Sequence, residues 1–356
     1  MTTTWPPQPP FLHHFPMQLY LDSFGAYLFV RNGMFAVRVK SGGEQLFAVR
    51  QVGAILLTAG TGMSSDAVLL AAAENIPLLL IDANTHKPLA QLGSGRSVSL
   101  ASIRRNQAIF SKSRDGYAWA AGVLSVKVER QMALLQTVAG WGKAPPQYAE
   151  RLPTTLKTMA AQARALKNWS PPPGNFVAAI AAERLRGQEG TASRVYFQQL
   201  ACYLDGRLDF TGRQGRPAYD PFNALLNYLY GMMYTAVHLA ALKSGLDPFM
   251  AALHADQFGA KPTLVYDMVE PFRPWADEVA LLLAADPLMS TESYFLPDPD
   301  GRGLWLSGHG KGAVLEAMLG YLKTPTPFDG RNVRRSIQVD LEAQKLAVFL
   351  KDYGET

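Results

Sequence analysis

Residues 253 to 279, LHADQFGAKPTLVYDMVEPFRPWADEV, set His254, Asp267 and Glu270 among residues that otherwise read as core. An unpaired buried charge costs several kcal/mol or neutralises itself, so acids in such a run need partners. Asp267 and Glu270 are three residues apart, and a helix presents that spacing on one face. Pro262 can start the helix. Pro271 offers no N–H to the carbonyl of Asp267, so the helix is expected to kink or loosen there. Upstream, Glu189 stands between Gly187 and Gly190 in the helical run RLRGQEGTASRVYF. Each interior glycine costs about 1 kcal/mol against alanine, which points to a close approach by another group. One histidine with two or three carboxylates is an oxygen-dominated ligand set. It suits Mg²⁺ or Mn²⁺ better than a structural zinc, which takes several Cys or His. Spacing leaves a second reading open: Glu189 and Glu270 pair with Arg186, Arg194 or Arg273 in ordinary salt bridges, and His254 is a satisfied helix-end histidine.

Arg207, Arg213 and Arg216 lie in DGRLDFTGRQGRPAYDP, directly before the apolar run NALLNY. A solvated basic loop is one reading. A phosphate-gripping loop is the other, because guanidinium groups match phosphate bidentately. Arg104, Arg105, Lys112, Arg114, Lys127 and Arg130 form a second, diffuse basic stretch. Two glycine-rich stretches do not qualify as nucleotide loops. AGTGMSSD has neither the G-x-G-x-x-G spacing nor a phosphate-binding lysine, and in SGHGKGAV a glycine stands where Walker A needs Ser or Thr. Both read as turns before helices. His13 and His14 sit in a Pro-rich arm, and Cys202 reads as core.

The elements that must carry these residues fall into two kinds. Residues 17 to 60 alternate and are rich in aromatic and β-branched types, with Asn32-Gly33 marking a tight hairpin. SSDAVLLAAAEN follows as a short helix with Ser64 or Ser65 as its cap, then IPLLLIDA as a buried strand. After about residue 101 helical periodicity takes over, and Asp220-Pro221 is a cap-plus-first-turn signal. The fold class expected is α+β: a flexible Pro-rich arm over 1–16, a strand-rich domain over 17–101, an all-α domain over 102–346 and a tail over 347–356.

Composition narrows the class. The 356 residues are 48% hydrophobic and 18% charged, ordinary values for a chain that buries a sizeable core. A single cysteine excludes an intramolecular disulfide framework and suits a reducing cytoplasm. No apolar run reaches the roughly 18 residues of a membrane span, and the N-terminus lacks the n-region and h-region of a secretory signal. A net charge of +5 does not by itself prove a polyanion partner.

RLRGQEGTASRVYF, GRPAYDPFNALLNYLYGMMYTAV, SGLDPFMAALH and LVYDMVEPFRP occur in this order with apt separations. Together they resemble the CRISPR-associated adaptation integrase family, the first-numbered and most widespread Cas protein. LYLDSFGAYLFVRNGMFAV and SSDAVLLAAAENIPLLLID resemble its strand domain, so the likeness runs over residues 17 to 345. The resemblance carries the family's metal ligands onto Glu189, His254 and Glu270, with Asp267 as a supporting acid and Asn223 and Asn227 as structural residues. It implies a cytoplasmic, Mg²⁺- or Mn²⁺-dependent DNA endonuclease and integrase that inserts spacers into a CRISPR array during antiviral defence. The implied partners are double-stranded DNA (prespacer and repeat), a second copy of the chain and a small companion adaptation subunit, with no membrane. Arg207, Arg213, Arg216 and Arg273 are expected on the DNA backbone. A transposon integrase or branched-DNA nuclease with the same site, and a non-catalytic DNA scaffold, are the competing readings.

Overall fold

The structure is a computed structural model that describes residues 17–40, 42–92, 100–171, 174–254, 261–286, 289, 291–298 and 301–354. The Pro-rich arm, with His13 and His14, lies outside them. The chain divides into two units: residues up to Ala83 with Pro88–Arg96, and Asn84–Lys87 with Ser97 onward.

The first unit runs β1 (Met17–Leu21), β2 (Tyr27–Arg31), β3 (Met34–Arg38), β4 (Glu44–Phe47), a 3-10 turn, β5 (Val52–Leu57), β6 (Gly62–Met63), α1 (Ser65–Ala73), β7 (Leu78–Ile81) and β8 (Pro88–Leu92). Asn32 and Gly33 both take positive φ, 51° and 71°, which a two-residue hairpin of right-handed twist requires. That turn pairs Val30 with Phe35 and Leu28 with Val37. One sheet has the order β1-β5-β7-β8, the other β4-β3-β2-β6. In the first, β1, β5 and β7 are parallel, and their apolar runs supply Leu19, Leu21, Ile55, Leu57 and Leu78 to the core. Leu28, Phe35 and the α1 residues Ala67 and Ala71 complete it. Ser64 caps α1 by accepting from the Ala67 N–H at 3.2 Å.

The second unit is helical: α2 (Leu100–Phe110), α3 (Arg114–Ala139), α4 (Pro146–Lys167), α5 (Ala178–Leu204), α6 (Pro221–Lys243), α7 (Thr263–Val269), α8 (Arg273–Ala284), α9 (Thr291–Tyr294), α10 (Gly308–Lys323) and α11 (Arg335–Lys351). It also carries two antiparallel ribbons, β9 (Phe295–Pro297) with β10 (Leu304–Leu306) and β11 (Pro325–Phe328) with β12 (Arg331–Arg334). The boundary expected at residue 346 falls inside α11. The apolar repeat of Ala343, Leu346, Ala347 and Leu350 continues unbroken and buries all four, so the helix does too.

Helix α6 is apolar on every side and buried along nearly its whole length, which makes it the post on which the unit is built. Asp220 caps it by accepting from the Asn223 N–H at 2.8 Å, with Pro221 in the first turn. Gly231 on this helix admits residues 84–87: a Cβ there would stand 1.7 Å from the Thr85 carbonyl oxygen. The Thr235 hydroxyl donates to the His86 carbonyl at 2.5 Å and fastens the same segment.

Gly187 and Gly190 behave differently from the expectation. A Cβ at either position meets nothing within 4 Å, so none of the described residues closes on them. Gly231→Ala is therefore expected to destabilise the chain by on the order of 2–3 kcal/mol, since helix or segment must shift. Gly187→Ala is expected to stabilise it by up to about 1 kcal/mol. Urea denaturation checks both, and a reversed order of stabilities would contradict the close approach at Gly231.

Candidate functional site

Pro271 ends α7 as its chemistry requires. Residues Glu270–Phe272 tighten into a 3-10 turn, and α8 restarts at Arg273. The turn aims Glu270 into a cavity of about 620 Å³, which Glu189, His254, Arg213 and Arg273 also line. Four parts of the chain thus converge: the middle of α5, the segment after α6, the α7–α8 break and the loop before α6.

Lys127 on α3 is the group that binds the acids together. Its side chain is only 7% exposed, and its ammonium contacts Glu189 Oε1 directly and lies 2.6 Å from Glu270 Oε2. Lys127 thus bridges the two carboxylates, with one contact to each. Arg273 Nε donates to the other oxygen, Oε1, at 2.9 Å. Burial pushes the Glu270 carboxyl up, but the charges of Arg273 and Lys127 outweigh it and hold the group at about 2. Burial likewise pushes the Lys127 amine down, and the carboxylates of Glu270 and Glu189 reverse this, so it stays an ammonium. Ser193, one turn after Glu189, donates to Glu189 Oε1 at 2.6 Å.

Asp267 does not line this cavity; it orients the histidine. Its Oδ2 accepts from the N–H groups of Ala252 and Leu253 at 3.2 and 3.0 Å, and its Oδ1 meets His254 Nδ1 at 2.5 Å. A carboxylate so placed fixes the proton on Nδ1 and leaves Nε2 as the ring's acceptor. The spacing Asp267–Glu270 therefore serves two tasks, one acid behind the histidine and one facing the cavity.

The basic residues separate. Arg213 donates to the side-chain oxygens of Asn223 and Asn227 at 2.9 and 2.7 Å and lies over the Tyr230 ring, 5.1 Å from its centre. Asn223 in turn donates to the Gly212 carbonyl, which ties the arginine loop to the start of α6. Arg273 lies over Tyr230 and donates to the Tyr234 hydroxyl at 2.8 Å. Arg216 faces a second cavity of about 320 Å³, also lined by Arg302, Tyr228 and Trp305. Arg207 joins neither group. Its guanidinium donates to the carbonyls of Leu204 and Tyr203 and so closes the C-terminus of α5.

Reading the sequence missed three residues. Lys127 appeared there only as one cation in a diffuse stretch. Asp277, fully buried on α8, accepts from the hydroxyls of Tyr196 and Tyr230 at 2.8 and 2.6 Å and so fixes the ring beneath the two arginines. Lys87 comes from the segment against α6, its amine 5.1 Å from the Tyr234 ring centre. Acids or lysines in apolar runs were the only signal, and it named no partner.

Among the described residues, no three acidic, histidine or cysteine side chains stand close enough to hold a metal ion as placed. The donors nevertheless fit one chemically: two carboxylates that already share a cation, and an imidazole whose Nδ1 is held by Asp267 so that Nε2 faces away from it.

The family profile described as CRISPR associated protein Cas1 matches residues 19–319. The chain belongs to the Cas1 family. CRISPR-associated endonuclease Cas1 1 of Archaeoglobus fulgidus is 30% identical over 347 residues, covering 94% of this chain and 96% of that one. Among solved structures, a casposase bound to integration product superposes with a TM-score of 0.76 at 19% identity, covering 95% and 92% of the two chains. A Cas6-RT-Cas1–Cas2 complex gives 0.74 at 19% identity, over 97% of this chain and 36% of that one. The two structures share the Cas1 fold with this chain. No helix among the described residues is long and apolar enough to cross a membrane.

Lys87 gives this basic wall a test. Burial, then the charges of Arg216 and Arg273, lower its amine from 10.5 to about 8. The folded chain therefore gives up this proton before the unfolded chain does. The charged amine opposes folding below about 8, and the penalty fades as pH rises toward 10.5. Lys87→Met is expected to raise the melting temperature by a few degrees at pH 7 and to lose that advantage by pH 10.5. A lower melting temperature at pH 7, measured by scanning calorimetry, would contradict the crowding.

Proposed function

We propose that this Cas1 family member is a divalent-metal-dependent DNA endonuclease and integrase of CRISPR adaptation. The observation that carries the reading is the convergence of Glu189, His254 and Glu270 from three separate elements on one cavity. With Mg²⁺ or Mn²⁺ bound by Glu189, Glu270 and His254 Nε2, the ion would lower the pKa of an attacking hydroxyl and stabilise charge on the phosphorus oxygens. The 3′-hydroxyl of a captured DNA end attacks a phosphodiester of the CRISPR repeat. A new phosphorus–oxygen bond forms, the bond to the leaving 3′-oxygen breaks, and the proton passes from the attacking to the leaving oxygen.

This chain's own residues hold and direct that exchange. His254, oriented by Asp267 behind it, would present Nε2 to the ion, so solvent water carries the proton away from the attacking hydroxyl and returns one to the leaving oxygen. Arg273 and Arg213, stacked on Tyr230, hold the phosphate next to the acids, and Arg216 and Lys87 extend the grip along the backbone. Such contacts carry no base information and weaken with salt. Two copies of the chain work with a small companion subunit in the cytoplasm. The fold shared with a Cas1–Cas2 assembly and with a casposase supports the partner and the strand-transfer chemistry. The casposase likeness also keeps a transposon-type integrase as the second reading.

Glu189→Ala and Glu270→Ala are expected to lower strand transfer of a labelled duplex by about 10²–10⁴-fold, with DNA affinity within a few-fold of wild type. Chelator is expected to abolish transfer by the wild type. Wild-type rates from either variant would contradict the proposal. A preference for terminal-inverted-repeat ends over CRISPR repeats would favour the transposon reading.

A further inference from the structure

Lys127 and a metal ion make the same demand on the same oxygens. The ammonium contacts Glu189 Oε1 and sits 2.6 Å from Glu270 Oε2, the two carboxylates to which the proposed function assigns the cation. With Arg273 against Glu270, two cations already balance two anions in a buried place. A divalent ion needs the same carboxylate oxygens that the ammonium occupies, so the two cannot sit there together.

One helical turn along α3 lies Gln131. It lines the same cavity, it is 1% exposed, and its buried Oε1 has no hydrogen-bond partner among the described residues. Residues four apart on a helix are neighbours, so a lysine ammonium that leaves the carboxylates reaches this carbonyl by rotating its own stem. An orphaned buried acceptor is rare in a folded chain and calls for a donor.

We propose that Lys127 is a place-holding cation: its ammonium keeps Glu189 and Glu270 together in the metal-free chain, and it withdraws to Gln131 Oε1 when the metal binds. The inference rests on the metal-dependent reading of the same site. It explains why the acids and the histidine line one cavity yet fall short of ligand spacing. The place-holder also sets the metal affinity: every ion bound must first displace an ammonium, so the wild type binds more weakly than its ligands allow.

The experiment is a Mn²⁺ titration of the DNA-free protein, read as free Mn²⁺ by electron paramagnetic resonance. Wild type is compared with Lys127→Met, Gln131→Leu, the double variant and Glu189→Ala. Lys127→Met is expected to bind Mn²⁺ at least tenfold more tightly than wild type. Gln131→Leu is expected to bind it a few-fold more weakly, and that effect is expected to vanish in the Lys127→Met background. Mn²⁺ bound by Lys127→Met no more tightly than by wild type overturns the proposal. Equal binding by wild type and Glu189→Ala instead overturns the metal reading beneath it. Should the Lys127→Met variant not fold, Gln131→Leu against wild type still answers: Mn²⁺ affinity unchanged by loss of the Oε1 acceptor overturns the exchange.

Discussion

Two carboxylates brought to one side of a cavity repel each other, and a fold that does so must supply positive charge at the same place. At an effective dielectric near 20, unit charges 4 Å apart interact by about 4 kcal/mol, so the choice of cation outweighs most single packing contacts. Here Lys127 supplies it from α3 and Arg273 from the first turn of α8. The remaining geometry follows from keeping these groups in register. Helices α3 and α5 pack along each other, which sets Lys127 opposite Glu189, and the turn at Pro271 swings Glu270 toward both.

The support behind the site is more fully hydrogen-bonded than the site itself. Asp267 is saturated by two N–H groups and one imidazole, and Asp277 by two phenols. Both acids are buried with every oxygen occupied, which costs little once the partners are in place and fixes His254 and Tyr230. On the cavity side, Gln131 Oε1 is buried with no hydrogen-bond partner among the described residues. The fully satisfied acids stand where orientation matters.

Much of this was legible in the sequence. The hairpin at Asn32-Gly33, the caps at Ser64 and Asp220 and the break at Pro271 follow from backbone chemistry that acts within a few residues. The salt-bridge reading of the acids holds in part. Glu270 does pair with Arg273, as three-residue spacing allows, and it still faces the cavity beside Glu189 and His254. Lys127 was hidden because its partners lie 62 and more residues away, a pairing made by packing two long helices rather than by any local pattern. Gly190 was read as a close approach and proved to be open space on the cavity wall, because glycine records missing volume without saying whose. Arg207 was read with the other loop arginines although it follows the end of α5 directly, where a cation finishes a helix.

Under the place-holder proposal an ammonium and a metal occupy one cation position in turn. Anomalous diffraction from crystals grown with Mn²⁺ can see both. An anomalous peak is expected about 2.0–2.3 Å from carboxylate oxygens of Glu189 and Glu270 and from His254 Nε2, with the Lys127 amine moved to Gln131. Manganese bound elsewhere, with Lys127 still bridging the two carboxylates, would contradict it.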